Sequence, residues 1–270
     1  MSARHAFDIR HLPYLRALIA GVVISAAPAV ASPLGLTVRP IGTPAVEAAQ
    51  AVEPAVAPSS PASFAAQSVQ PDHAVALWRD TATNETGFKL EGRTADSPTF
   101  SQIGDTLPAN TTAVGIDGLS PGVTYVFRVR ATNASGDSAP SNTVTFDALT
   151  SVDCVASPTM ICLNNSEFRV QALYLTANGL SGEAHAVKLV SDSGYLWFFS
   201  ESNIELVVKV LNGCTTNSHY WVFAGGLTDV RVLLTVTDTV GEISRSYGSP
   251  LGTAYQPLQD TSAFATCATP

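Results

Sequence analysis

Short stretches in which apolar and polar residues alternate constrain the fold of this chain most strongly. In TYVFRVRAT, residues 124–132, the side chains of Tyr125, Phe127, Val129 and Ala131 share one face. A period of two residues is typical of a β-strand with one buried face, whereas an amphipathic helix repeats about every 3.6 residues. Comparable stretches, separated by turn residues, occupy residues 74–80, 87–93 and 142–146. The spacing predicts an antiparallel β-sandwich over residues 61–150.

The last part of the chain carries the same pattern. The even-numbered residues from Val230 to Val236 share one face of DVRVLLTVTD, as do those from Ile204 to Val210 in IELVVKVL. Further strands are predicted at 168–176, 185–190 and 219–226. The predicted fold class is therefore all-β, with a second antiparallel β-sandwich over residues 151–270.

The N-terminus has the three parts of an export signal. Arg4, Arg10 and Arg16 precede the apolar run 17–27, and Ala29–Ala31 supplies a small-x-small cleavage site. We therefore predict a cleaved signal peptide over residues 1–31 and a secreted mature protein. An uncleaved anchor is the alternative, but the run is shorter than the roughly 20 residues that span a membrane. No stable membrane insertion is expected after cleavage.

A segment rich in proline, alanine and valine follows the predicted cleavage site. It includes PAVEAAQAVEPAVAPSSP and has few charges and no hydrophobic period. Such a composition does not build a core, and its prolines favour extended backbone. We expect residues 32–60 to act as a semi-rigid or disordered spacer.

One part of the first predicted sandwich carries a specific resemblance. The stretch GLSPGVTYVFRVRATNASGDSAPSN resembles the second half of a fibronectin type III domain, through Leu119, Pro121, Gly122 and Tyr125. Trp78 matches the core tryptophan of that family. The resemblance implies a tyrosine corner, in which the Tyr125 hydroxyl bonds backbone just upstream. It also implies a spacer or adhesion module, as in many secreted bacterial proteins, although no Arg-Gly-Asp motif occurs.

All four cysteines lie in the second predicted domain. They are Cys154, Cys162, Cys214 and Cys267. An even number of cysteines in an exported chain indicates disulfides, and the absence of paired CxxC spacing argues against a metal site. Three pairings are open. We expect Cys154–Cys267 to join the ends of the domain and Cys162–Cys214 to lie within it.

The segment SDSGYLWFFSESN, residues 191–203, is the most aromatic part of the chain. Tyr195, Trp197 and Phe199 share one face of the predicted strand, and Leu196 and Phe198 share the other. Two apolar faces favour a strand that is buried on both sides or at an interface. The alternative is an exposed platform on which sugar rings stack, with the ligand-facing side chains Tyr195, Trp197, Tyr220 and Trp221.

No arrangement of residues indicates catalysis, a cofactor or a metal. GLSGEAH, residues 179–185, lacks the glycine spacing of a nucleophile elbow. The predicted mature chain contains His73, His185 and His219, and we expect none of them to be catalytic. Asp229, Asp238 and Glu242 lack the spacing of known calcium loops.

Charge and domain content favour a binding or structural function. A formal net charge of -8 argues against a nucleic-acid partner. The C-terminal region also resembles a module that recurs in secreted bacterial proteins and has no established activity. We predict a secreted, non-catalytic interaction, adhesion or structural protein that binds an unidentified extracellular protein or polysaccharide. A carbohydrate-binding accessory protein of secreted hydrolases is the alternative, and a small hydrolase is a third.

Overall fold

The computed structural model describes residues 33–42 and 56–267. The predicted signal peptide, residues 1–31, lies outside the described residues, as do residue 32 and residues 43–55 and 268–270. The described chain is built almost entirely from antiparallel strands. They form four sheets, two in each of two β-sandwiches, as the alternating patterns predict.

The first sandwich contains ten strands in chain order. They are β1 (Thr37–Pro40), β2 (Ala62–Gln70), β3 (His73–Arg79), β4 (Gly87–Thr94), β5 (Ser101–Gln102), β6 (Leu107–Pro108), β7 (Ala113–Asp117), β8 (Thr124–Asn133), β9 (Gly136–Asp137) and β10 (Val144–Asp147). One sheet has the order β1-β7-β3-β2. The other has the order β10-β8-β4-β5, with β6 beside β4 and β9 beside β8.

The inward residues of this sandwich follow the predicted alternation. Tyr125, Phe127 and Val129 on β8 are buried, and Trp78 on β3 is fully buried beside the Phe88 ring at 5.6 Å between centroids. The Tyr125 hydroxyl oxygen accepts a hydrogen bond of 3.0 Å from the Ser120 N–H, as the predicted tyrosine corner requires. The corner fixes the turn between β7 and β8.

Strand β1 lies within the segment expected to be a spacer. Thr37–Pro40 pairs antiparallel with β7, placing Thr37 opposite Asp117, and the preceding Leu36 is buried in the core. The spacer prediction is therefore wrong for these residues. A strand that adds to a free sheet edge is held by main-chain hydrogen bonds, which need no hydrophobic pattern.

The second sandwich contains the remaining strands and one short helix. They are β11 (Ile161–Leu163), β12 (Phe168–Leu175), β13 (Ser181–Glu183), β14 (His185–Val190), β15 (Ser193–Trp197), β16 (Leu206–Asn212), α1 (Cys214–Asn217), β17 (Tyr220–Gly226), β18 (Arg231–Asp238), β19 (Ile243–Gly248) and β20 (Leu258–Phe264). One sheet has the order β11-β12-β18-β19, with β13 beside β12. The other has the order β14-β15-β16-β17-β20.

The second core lies between these two sheets. The even-numbered residues from Val232 to Val236 on β18 are buried there, and they face those from Leu206 to Val210 on β16. Ile204 was expected on the same face. It lies in the loop before β16 and is 41% exposed, so the buried face of this strand begins at Leu206.

The disulfides pair differently from our expectation. Cys154 bonds Cys162, only 8 residues apart, and Cys214 bonds Cys267, 53 residues apart. Sheet order explains the second pair, because β17 lies between β16 and β20 and its register places Tyr220 opposite Phe264. The loop after β16 therefore meets the chain that follows β20. The first disulfide closes the tight turn that enters β11.

The two sandwiches pack against each other through the β1-β7-β3-β2 sheet and the β11-β12-β18-β19 sheet. Apolar side chains from both domains form a third buried cluster, which includes Ala65, Val69, Val75, Leu77, Ala113, Leu173, Leu175 and Leu233. Strands β12 and β18 are consequently buried on both faces. Their sheet forms an inner layer of the molecule.

Polar side chains of β12 and β18 bind the main chain of β2 across this interface. Arg169 is 1% exposed and donates to the Val69 carbonyl at 2.8 Å. Gln171 donates to the Ser68 carbonyl at 3.2 Å, and Thr237 donates to the Val69 carbonyl at 3.3 Å. Because these bonds fix one backbone against the other, the two domains form a continuous unit.

Candidate functional site

The outer side of the β14-β15-β16-β17-β20 sheet carries several partly exposed aromatic side chains. Its inner side faces the second core, where Leu196 and Phe198 are buried. Strand alternation then directs Tyr195 and Trp197 outward, where both are half-buried. Within the described residues this strand is therefore fully buried on one face only.

We call this surface the outer aromatic face and define it by His185, Tyr195, Trp197, Val207, Trp221 and Phe223. Cross-strand pairing places His185 opposite Trp197 and Tyr195 opposite Val207. The imidazole of His185 and the indole of Trp197 stack with centroids 3.8 Å apart and planes 10° apart. Val207 is 43% exposed at the centre of the sheet.

Trp221 and Phe223 extend the outer aromatic face onto β17. Their rings meet edge to face, with centroids 6.3 Å apart. The indole N–H of Trp221 donates to the Asn217 side-chain oxygen at 2.8 Å. The indole also lies over Gly213, where an added Cβ would come within 2.3 Å of the ring. Trp221 is thus held in place by the loop that carries Cys214.

Tyr220 does not belong to the predicted platform. It is 8% exposed in the core, and its hydroxyl donates to the Glu167 carboxylate at 3.0 Å. Burial, together with the hydrogen bond to Glu167, raises the pKa of Tyr220 to about 12. Burial also raises the pKa of Glu167. This pair joins the two sheets of the sandwich and has no exposed ligand-facing edge.

A cleft opens at the end of the same sandwich. It has a volume of about 620 Å³ and is lined by Phe199, Asn203, Glu205, Leu227 and Asp229, among others. Phe199 is 49% exposed and Leu227 is 88% exposed, whereas Glu205 is buried and accepts a hydrogen bond from the Asn203 amide. Sequence reasoning missed this cleft because its lining comes from three separate loops. The exposed Leu227, next to a glycine pair, was the one local signal.

The histidines and acidic residues that the sequence analysis considered for catalysis or metal binding are not brought together in one place. His73 lies in the first domain, His185 is stacked on the outer aromatic face, and His219 bonds the Asn217 carbonyl. Asp229 lines the cleft, whereas Asp238 is buried and accepts from the N–H groups of the turn after β18. Within residues 33–42 and 56–267, no three His, Cys, Asp or Glu side chains are placed to hold a metal ion.

The fold and its cross-links define a disulfide-bonded all-β protein of two packed sandwiches. Residues 59–147 match the family model of the fibronectin type III domain. This part of the chain is a fibronectin type III domain, as its tyrosine corner also indicates. The family suggests an extracellular protein-interaction or structural module and is typically non-catalytic. The domain and the two disulfides fit an extracellular protein.

Several solved structures are similar to part of this chain. The third fibronectin III domain of the human KIAA0343 protein is 15% identical; the match covers 41% of this chain and 98% of that one, with a TM-score of 0.33. The fibronectin type III domain of human fibronectin type III domain containing protein 3 is 22% identical, covering 37% and 93%, with a TM-score of 0.30. The FN5 domain of Drosophila Lar is 16% identical, covering 34% and 97%, with a TM-score of 0.30.

The only described helix is α1, which has four residues. No helix among the described residues is long and apolar enough to cross a membrane.

Proposed function

We propose that this protein is secreted and acts as a non-catalytic interaction module, with the outer aromatic face as its contact surface. The fibronectin type III domain and the C-terminal sandwich act together, because the β11-β12-β18-β19 sheet is packed between them. This arrangement directs the outer aromatic face away from the fibronectin domain.

The partly exposed aromatic side chains of this face are the observation that carries the proposal. Tyr195, Trp197, Trp221 and Phe223 are half-buried side chains on one side of one sheet. Tyrosine and tryptophan supply large contact areas with a polar edge and are enriched at binding surfaces. The stacking of Trp197 on His185 and the hydrogen bond of Trp221 to Asn217 hold two of these rings in place before any partner binds. Such preorganisation lowers the entropic cost of binding.

A polysaccharide partner is the second candidate. It is favoured because three of the four side chains expected to form a sugar platform, Tyr195, Trp197 and Trp221, share the same side of the sheet. On this alternative the protein delivers secreted hydrolases to their polymer. A protein partner is favoured by the fibronectin type III domain itself.

The test is a binding screen of the protein from residue 32 to residue 270 against purified polysaccharides and extracellular matrix proteins. Trp197→Ala and Trp221→Ala should each weaken the binding found by at least about tenfold, as expected for a central tryptophan of an interface. Phe100→Ala is the matched control, since Phe100 is an aromatic residue under Arg128 on the outer side of the first domain. Circular dichroism would establish that each variant is folded.

The class of ligand that binds distinguishes the two candidates. Saturable binding to a polysaccharide that both tryptophan variants lose would favour the carbohydrate candidate, and the same result with a protein would favour the leading one. Binding that Phe100→Ala weakens as much as Trp197→Ala does would place the contact elsewhere and overturn the proposal.

A further inference from the structure

A second cleft lies between the two domains. It has a volume of about 310 Å³ and is lined from the first domain by the end of β1 and the turn before β7, and from the second by β18 and the chain after β19. Polar side chains in its lining include Thr111, Thr112, Arg231 and Ser249. Both domains must be in place for this cleft to exist.

Arg231, at the first position of β18, has no hydrogen-bond or ion-pair partner among the described residues. Every other arginine in residues 33–42 and 56–267 donates at least one hydrogen bond. The side chain is partly buried, and burial lowers the pKa of its guanidinium. A cation that is withdrawn from water without a partner is unfavourable, so this position requires an explanation.

The other lining residues that the structure describes provide hydrogen-bonding groups and no negative charge. Thr111 is 3% exposed and its hydroxyl has no hydrogen-bond partner. The Ser249 hydroxyl oxygen accepts from the Val232 N–H at 3.0 Å, which leaves its own proton free to donate. Among the described residues, no aspartate or glutamate lines the cleft; Glu85 accepts from the Asn110 N–H at 3.3 Å but is outside the lining.

We propose that this cleft binds a small ligand through a carboxylate or a similar oxyanion, with Arg231 as its charged partner. A guanidinium donates two parallel hydrogen bonds to such a group, and the hydroxyls of Thr111 and Ser249 can complete its coordination. The volume matches the lower end of small-molecule sites, about 300 Å³, and so suits a ligand the size of a monosaccharide acid or an amino acid. Because both domains line the cleft, the bound ligand holds them together.

The experiment measures thermal unfolding and calorimetric binding of the protein from residue 32 to residue 270. The probes are acetate, galacturonate, phosphate and sulfate, each compared with sodium chloride at the same ionic strength. We expect saturable binding and a rise in Tm with at least one probe. The two carboxylates, acetate and galacturonate, are tested separately from phosphate and sulfate. The probe that binds therefore identifies the chemical class of the oxyanion.

Arg231→Gln should weaken that binding by at least about tenfold, since it removes the charged donor. Arg79→Gln is the matched control and should bind as the original protein does, because Arg79 is an exposed interdomain residue outside the cleft. Thr111→Val keeps the shape of its side chain and should weaken binding to a smaller extent. Without anions, Arg231→Gln should unfold at the same or a higher temperature, because it removes an unpaired cation.

Two results would overturn the proposal: no probe stabilises the protein more than chloride, or Arg231→Gln responds as the original protein does. Trp197→Ala should retain the anion response, because the outer aromatic face is separate from this cleft. Failure of the anion site and failure of the proposed function are therefore distinguishable.

Discussion

The guanidinium of Arg169 reaches out of the second domain and donates a hydrogen bond of 2.8 Å to the carbonyl oxygen of Val69 in the first. Its other terminal nitrogen bonds the carbonyls of Val152 and Asp153 at 2.7 and 2.6 Å, in the segment that joins the domains. One buried side chain thus fixes two domains and their linker. The protein should therefore unfold as a single cooperative unit.

Replacing Arg169 by alanine should lower the free energy of unfolding by about 3 kcal/mol or more, because buried carbonyls lose a charged donor. Urea unfolding followed by fluorescence measures this change. Arg79→Ala is the control, since Arg79 makes one exposed interdomain bond, to the Ala177 carbonyl, and should cost less than about 1 kcal/mol. Two separate unfolding transitions in the original protein would contradict the single unit.

Removing the two disulfides should have unequal effects. The Cys214–Cys267 bond closes a loop of 53 residues, which corresponds to about 4 kcal/mol in the chain-entropy model. The Cys154–Cys162 bond spans 8 residues and corresponds to about 2.5 kcal/mol. We therefore expect the double alanine variant at 214 and 267 to be the less stable one in thermal unfolding. Non-reducing peptide mapping that found Cys154 joined to Cys267 would refute the pairing.

The stabilising effect of the tyrosine corner can be tested by removing one oxygen atom, the Tyr125 hydroxyl. Tyr125→Phe removes only the hydroxyl that accepts the Ser120 N–H, and should cost about 1 kcal/mol of unfolding free energy. Tyr195→Phe is a suitable comparison, because the Tyr195 hydroxyl makes no hydrogen bond to the described residues and its loss should change little. Equal effects of the two changes in urea unfolding would argue against the corner.

His73 should make stability depend on pH. Burial lowers its pKa below the ordinary value of 6.5 and outweighs the attraction of Asp117, which lies 2.7 Å away; Arg39 lowers it further. The unfolded chain therefore takes up the proton first as pH falls. The free energy of unfolding should consequently decrease below pH 6.5, until the folded-state pKa is passed.

His73→Gln should reduce the loss of stability between about pH 7.5 and 5.5. His219→Gln is the matched change, since His219 lies in a partly exposed turn and bonds the Asn217 carbonyl. Urea unfolding at each pH measures the difference. A pH dependence that His73→Gln leaves intact would show that another group is responsible.

Local patterns predicted strands such as β3, β4, β8, β12 and β18, because a period of two residues depends only on neighbours in sequence, but they did not identify β2 or β7. The same rule could have separated Tyr220 from Trp221, since adjacent residues of a strand point to opposite sides. Disulfide pairing could not be predicted, because it depends on β17 lying between β16 and β20. The strand of Leu173 and Leu175 did carry a signal for the interface, in apolar residues on both of its faces.

The position of β1 has a consequence for anyone who excises or transplants the fibronectin domain. A fragment cut at the family boundaries, residues 59–147, would leave out Thr37–Pro40 and leave the edge of β7 open. It would also uncover Val75 and Leu77, which the second domain buries. An open edge next to an apolar patch recruits further strands, so the fragment should self-associate. In this protein the fibronectin domain is not an independent module, because residues outside the family boundaries pair with its sheet edge and cover its apolar surface.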